Sequence, residues 1–388
     1  MSLTEVAREL GVSKPALYRH FGDKDALLDA MYAAFFDDQV AFIRDGFERA
    51  LAAEAQDGIN SVQKIWETSL IMMRTVSEYY VRNRDAFIFS LIRVYSRQKK
   101  EEVDEEFRKR GIDFRRLRYR KSESGVYPSK SQLSVTTLVF HIANFHRFEL
   151  KPGEIPSQEL VEKTVSRIEE RVIKGLSLDL QRVAALDYER LEKLANETVY
   201  EDTEKNNLLK AVAEAVAEAG PWNVSMEMVA RRSGLSKSGL YAHFINKQDM
   251  LGKLFISEFT RLINSAKTQI ETSLVPEEQL YLAIISIADK LRSRPEFLMV
   301  LEWLKTSQLD LEKMALERLE SIIASINLEA IKQHDQRLLL TIAQWLLLLI
   351  VSILIWRPSL SNNTQENPNE SFRMLFRFIA LGTGGLNK

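Results

Sequence analysis

Residues Ser2–Leu28 read SLTEVARELGVSKPALYRHFGDKDALL, and residues Ser225–Leu251 read SMEMVARRSGLSKSGLYAHFINKQDML. The two stretches lie 223 positions apart and agree at thirteen of 27 aligned positions. A repeat of that length is a duplicated module, so the chain reads as two related halves. In the first copy Ser2 is placed to cap a helix, with Glu5 three residues on completing a capping box. Val6, Ala7 and Leu10 form its buried stripe, and Gly11 ends it with a residue that tolerates positive φ. Ser13 caps a second helix, Lys14 to Phe21, with Leu17 and Phe21 four apart on the inner face. Gly22-Asp23 breaks it, and Asp23 caps a third helix through Leu27, Leu28, Met31, Tyr32 and Phe35. Helix, tight glycine turn and Ser-capped helix is the grammar of the helix-turn-helix, whose second helix enters the major groove of DNA.

At the tip of that second helix stand Ser13, Lys14, Pro15, Ala16 and Arg19 in one copy, and Ser236, Lys237, Ser238, Gly239 and Ala242 in the other. Small residues let the helix sit close to the bases; Ala16 suits a thymine methyl and Arg19 suits guanine O6 and N7. Lys14 and Lys237, Tyr18 and Tyr241, His20 and His243, and Lys24 and Lys247 recur in both copies. All of these can donate to phosphate, which sets register without carrying sequence information. Lys24 and Lys247 also open the next helix, where free N–H groups favour an anion.

SKPALYRHFGDKDALL and SKSGLYAHFINKQDML resemble the reader signature of the TetR family of bacterial transcriptional regulators, S-x-x-x-L-Y-x-H-F-x-x-K-x-x-L. The resemblance implies an all-α fold of two tandem TetR-like halves. Each would hold a helix-turn-helix reader and a larger helical domain that binds a small effector and dimerises. It also implies phosphate contacts from the Tyr, His and Lys positions just named. The family carries a further helix ahead of its first Ser-capped one. Leu208–Ala219 supplies it in the second half, with Leu208, Val212, Ala215, Val216 and Ala219 on one face and Gly220-Pro221 as the stop. No such helix precedes Ser2, so Val6, Leu10 and Phe21 are expected to lack that partner.

The domain reading is a reader over residues 1–36, a helical effector and dimerisation domain over 37–195, a second reader over 203–252 and a second helical domain over 253–388. A polar stretch, Asn196–Asn207, separates the halves. Outside the readers, Ile59–Tyr80, Asp85–Arg97, Ser131–Phe148 and Ser157–Leu194 carry apolar residues at helical spacing. The family is usually described as homodimers of single-reader subunits. Here the late helices, around Glu159–Leu180 and Leu338–Trp356, are expected to form a four-helix seam with Ser131–Phe148 and Phe372–Leu381. That makes an intrachain pseudo-dimer, as a monomer or a dimer of chains. Two unlike readers on one chain suit a pseudo-palindromic or asymmetric operator in duplex DNA, and linkage raises avidity.

Composition agrees with a helical protein: 15 Gly and 9 Pro among 388 residues leave little turn material, and 45% of residues are hydrophobic. A net charge of −1 gives no global basic field, though a local patch is enough for DNA. With no cysteine there is no disulfide, thiolate nucleophile or Cys-ligated metal, which suits the cytoplasm. Of five histidines, His20 and His243 fall in the readers, and His141 and His146 lie about 140° apart on a helix, a poor metal pair. No nucleophile elbow, phosphate loop or dinucleotide fingerprint is present, so neither an enzyme, a cofactor nor a metal is expected. Trp66, His141, Asn144, Phe145, Trp303 and Gln344 are candidates for lining an apolar cavity that takes a small apolar or amphipathic effector. The same polar residues are equally read as satisfied core groups.

Two segments carry alternatives. Phe107–Lys130 holds a basic run (Arg108, Lys109, Arg110, Arg115, Arg116, Arg118, Arg120 and Lys121) and reads as a solvated loop ahead of a phosphate contact. Leu338–Trp356 is 19 residues without a charge. It reads as a buried helix, with no membrane involved. A membrane-tethered regulator using this span, and a helical ligand-binding scaffold with decayed readers, are the competing readings.

Overall fold

In the computed structural model, the described residues are 3–55, 61–94, 100–117, 129–151, 153–197, 207–304, 312–328, 336–356 and 369–385. Every regular element among them is helical. They form two compact units, Met1–Val126 with Leu138–Glu170, and Tyr127–Thr137 with Arg171–Lys388.

The first unit opens with α1 (Leu3–Glu9) and α2 (Lys14–His20), followed by α3 (Lys24–Ala55). Helix α3 is a 32-residue shaft, about 48 Å long at the usual rise. Its first turns, through Leu27, Leu28 and Met31, belong to the reader. Phe36, Val40, Ile43 and Phe47 further along are almost wholly buried in the main core. Around them come α4 (Ser61–Arg82), α5 (Arg84–Phe89) with a π-helical turn over Ser90–Val94, α6 (Lys100–Lys109), and the larger parts of α7 (Lys130–Phe148) and α8 (Gln158–Lys174). Edge-to-face rings bind this core: Phe36 on Phe107 at 5.3 Å, Phe107 on Phe114 at 5.1 Å and Phe47 on Phe114 at 5.9 Å. Helices α3 and α4 cross at Gly46, where a Cβ would stand 2.3 Å from Thr75 Oγ1.

Four of the five described cations of the basic stretch are tied up within this unit. Arg108 pairs with Glu105, Lys109 with Glu106, Arg110 with Asp37 and Glu106, and Arg115 with Asp113. Arg118, Arg120 and Lys121 lie outside the described residues.

The second unit contains α9 (Leu180–Ala184), α10 (Tyr188–Glu197), α11 (Asn207–Asn223), α12 (Met226–Ser233), α13 (Lys237–Tyr241), α14 (Lys247–Ile270), α15 (Pro276–Ser293), α16 (Pro295–Leu304), α17 (Glu312–Ser325), α18 (Gln336–Trp356) and α19 (Glu370–Gly385). Leu280 through Ile285 on α15 are wholly enclosed. The apolar run predicted as a buried helix is α18, and it is two-sided. Ile342, Trp345, Leu346, Leu349, Ile350 and Ile353 are buried, whereas Leu347, Leu348, Val351 and Leu354 are half-buried. Among the described residues it is the one helix long and apolar enough to cross a membrane, and half of that window is buried.

The helical spacing over 157–194 is divided in the structure among α8, α9 and α10. Gly175 leaves the helix at φ +58°, and Leu176 and Leu178 donate their N–H groups to the carbonyls of Ile379 (2.7 Å) and Ala380 (3.0 Å). In the same region Thr383 Oγ1 donates to Val172 O (3.2 Å), and the Trp345 indole N–H donates to Thr137 Oγ1 (3.0 Å). A tertiary backbone contact has replaced a local one.

Candidate nucleic-acid interface

Each reader is built from its caps inward. In the second unit Ser225 caps α12, its Oγ accepting from Met228 N. Gly234 ends α12 in the left-handed conformation (φ 71°, ψ 15°), as Gly11 (φ +65°) does after α1. Ser236 then caps α13, its Oγ accepting from Gly239 N at 3.0 Å. Ser13 does the same for Ala16 N at 3.3 Å. Leu240 and Phe244 are buried anchors, so the opposite side of α13 faces outward. Ser236, Lys237, Ser238, Tyr241, Ala242 and His243 are exposed, with Gly239 half-buried between them. In the first unit Leu17 is the buried anchor; Ser13, Lys14, Pro15, Tyr18, Arg19 and His20 are exposed and Ala16 is half-buried. Each module thus leaves most of its predicted tip residues and its Tyr and His exposed.

The cations behind these faces differ between the copies. Lys237 pairs with Glu227 on α12. Lys247 is half-buried and donates to the Trp222 carbonyl at 2.6 Å, and burial lowers its pKa. Lys253 bridges the His243 carbonyl (2.9 Å) and Asp249 (3.0 Å). In the first module Lys14 lies over the Tyr18 ring at 5.6 Å, and Lys24 is exposed. A reciprocal cap escaped the sequence reading. Asn246 Oδ1 accepts from Asp249 N and Asp249 Oδ2 accepts from Ile245 N, both at 2.9 Å. The Asn246-x-x-Asp249 spacing is its sequence signal.

Packing behind the two faces is unequal. In the second module α11 ends at Gly220 (φ 74°), where Pro221 begins a further turn, and its Ala211, Val212, Ala215 and Val216 are buried. Arg232 joins Glu214 and Glu218 of α11. Val229, Phe244, Met250 and Leu251 are then at most 3% exposed. Their counterparts Val6, Phe21, Leu27 and Leu28 are only half-buried, and Leu10 is 63% exposed. Leu3, Ala7 and Leu17 make a small separate core there.

The effector candidates fall in both units. Phe145 is a core residue, Trp66 and His141 are half-buried, and the Asn144 amide donates to Phe140 O of its own helix at 3.1 Å. Gln344 is half-buried on α18 in the other unit, and the Trp303 side chain lies outside the described residues. A cleft of about 330 Å3 adjoins the second reader, lined by Leu208, Leu209, His243, Phe244, Lys253, Ile256 and Ser257. It contains none of the six. Spacing alone missed a buried polar group in the first unit. Gln39 Nε2 donates to Tyr80 Oη (2.9 Å), His146 Nε2 donates to Tyr80 O (2.7 Å), and Tyr79 Oη donates to Asp38 (2.8 Å). Gln39 Oε1, Ser77 Oγ and His146 Nδ1 are buried in this unit without a hydrogen-bond partner among the described residues. Among the described residues no His, Asp or Glu cluster is placed to hold a metal ion.

The model of the bacterial regulatory proteins of the tetR family matches this chain twice, over residues 1–31 and 208–254. Both reader modules are of the tetR family. They are the modules of DNA-binding transcriptional regulators. No curated protein matches the chain. Solved structures similar to part of it include the fatty acid degradation regulator FadR from Bacillus halodurans, 17% identical with a TM-score of 0.38, over 45% of this chain and 97% of that one. FadR from Bacillus subtilis, in complex with stearoyl-CoA, is 21% identical with a TM-score of 0.37, over 46% and 97%. The TetR family transcriptional regulator PfmR from Thermus thermophilus is 19% identical with a TM-score of 0.34, over 45% and 98%.

Proposed function

We propose that this chain is a sequence-specific, cytoplasmic DNA-binding repressor, released by a small effector, that carries two unlike tetR-family readers on one polypeptide. The domain division is that of the sequence reading: readers at 1–36 and 203–252, helical effector and dimerisation domains at 37–195 and 253–388. One observation carries it. Each module anchors a Ser-capped helix on a buried leucine (Leu17, Leu240) and leaves the Lys at its tip, the Tyr and the His exposed. Tyr18, His20, Tyr241 and His243, with Lys24 and Lys247 at the start of the next helix, serve phosphate. Arg19 has a guanidinium fork that suits guanine; Ala242 stands in its place in the second copy. The operator is therefore lopsided. The contacts of Thr137 with Trp345 and of Val172 with Thr383 support a seam of α7, α8, α18 and α19. For the effector, Gln39 Oε1 and His146 Nδ1, on two residues that both hydrogen-bond Tyr80, offer polar atoms without a partner among the described residues within an apolar core, the mixture a small amphipathic ligand needs.

Footprinting of the DNA flanking the chain's own coding region tests the reading. A protected, asymmetric site whose preference at one base pair relaxes in Arg19→Ala is the expected result. Replacing Lys24 instead should weaken binding evenly across sequences and flatten the salt dependence by about one unit. No protected site, or equal effects from both substitutions, would overturn it.

A further inference from the structure

The two readers share their lysines but not the partners of those lysines. Lys237 is the first residue of α13, and its ammonium is held by the Glu227 carboxylate from the first turn of α12. Both side chains stand in solvent, 59% and 53% exposed, so the pair is open to exchange. Each partner stabilises the charged form of the other: Glu227 is held below the usual carboxylate range and Lys237 above the usual ammonium range. At the equivalent positions of the first reader stand Lys14 and Thr4. No carboxylate occupies Glu227's place there, and Lys14 lies over the Tyr18 ring instead.

We infer that Glu227 is an affinity-determining residue of the second reader, a built-in competitor that holds Lys237 away from DNA phosphate and makes this reader the weaker of the two. The inference rests on the DNA reading given above. For Lys237 to meet a phosphate it must give up Glu227, and the carboxylate is then left beside the polyanion. Coulomb repulsion and the lost ion pair both oppose docking. Sequence-independent binding is driven by counterion release from neutralised phosphates, so a lysine already neutralised within the protein contributes less to it. The first reader has no such competitor. A linked second reader can be weak and still close, because its docking is intramolecular once the first has bound.

The test uses the full chain and a duplex of random sequence, with affinity measured at about 50 and about 200 mM salt. Glu227→Thr copies the first reader. It should raise affinity, with a gain about threefold larger at the lower salt, one unit of slope over that interval. Glu227→Gln should raise affinity in the same direction. In a Lys237→Ala background the gain should vanish. Thr4→Glu should weaken binding by a similar factor. Unchanged affinity in Glu227→Thr, or a gain that survives Lys237→Ala, would overturn the inference. Lost affinity would also overturn it and mark Glu227 as a base contact instead. If the wild-type chain itself shows no salt-sensitive binding, the DNA reading fails first and takes the inference with it.

Discussion

Glu192 on α10 and Arg373 on α19 form a two-pronged ion pair, Nε to Oε1 at 2.7 Å and Nη2 to Oε2 at 3.0 Å. Tyr281 on α15 donates to the same carboxylate at 2.6 Å. Three helices of the second unit therefore meet at one carboxylate that is 8% exposed. Burial pushes that carboxyl up, but the hydrogen bonds from Arg373, Tyr281 and Asn369 outweigh it and hold Glu192 below the usual range.

Removing Glu192 takes from Arg373 its two-pronged partner and leaves only Glu370 at 3.8 Å, and removing Arg373 strips the Glu192 carboxylate of its ion pair. Glu192→Leu should cost about 3 kcal/mol at neutral pH, and Glu192→Leu with Arg373→Met should recover much of it. Because the folded-state pKa is depressed, the stability the carboxylate supplies is present above its unfolded pKa. It is lost as pH falls through the folded one. Denaturant unfolding of wild type and variants at neutral and acid pH checks both parts: the variant gap should narrow in acid.

His146 titrates with the same sign for a different reason. Burial lowers its pKa, and its Nε2–H is committed to the Tyr80 carbonyl at 2.7 Å, leaving Nδ1 as a lone pair in the core. The unfolded chain takes up the proton first, so stability is complete above about pH 6.5 and falls below it. Unfolding midpoints at about pH 8 and about pH 5.5 should differ more in wild type than in His146→Gln. Equal differences would show that another group carries the acid sensitivity.

Gly382 is fixed by its neighbours. Its φ is +65°, and a Cβ there would stand 2.2 Å from the Ile173 carbonyl oxygen. Gly382→Ala should cost about 3 kcal/mol, combining left-handed strain with displacement of backbone that cannot give. Gly153, at φ +79° with open space around it, is the control. Gly153→Ala should cost about 1 kcal/mol, from strain alone. Thermal unfolding of both variants separates the two contributions.

The two readers should differ in local stability. Val229 is wholly buried and Val6 half-buried, at the same position of the repeat. Val229→Ala should cost about 2 kcal/mol and Val6→Ala less than about 1 kcal/mol, since less area leaves water at the first site. Native-state hydrogen exchange should show α1 and α2 opening more readily than α12 and α13. Equal protection would contradict the difference in burial.

What the chain spelled out by itself was local. Ser13 and Ser236 as caps, Gly11 and Gly234 as left-handed stops, and Leu17 with Leu240 as anchors all follow from relations within about one helical turn. That information survives in a linear string, which is why the duplicated reader was legible, and α11 with its break at Gly220.

Only the tertiary structure decided where charges and backbones met across distance. Glu227 is ten positions from Lys237 and Trp222 is 25 from Lys247, so no helical periodicity links them. The break at Gly175 belongs to the same class, because it exists to meet carbonyls of α19 some two hundred residues later. So does the two-sidedness of α18, whose apolar letters run all round while only one face is fully enclosed. Periodicity states which residues share a face. The partner on that face is set by packing, where close approach, desolvation and unlike charges are weighed together.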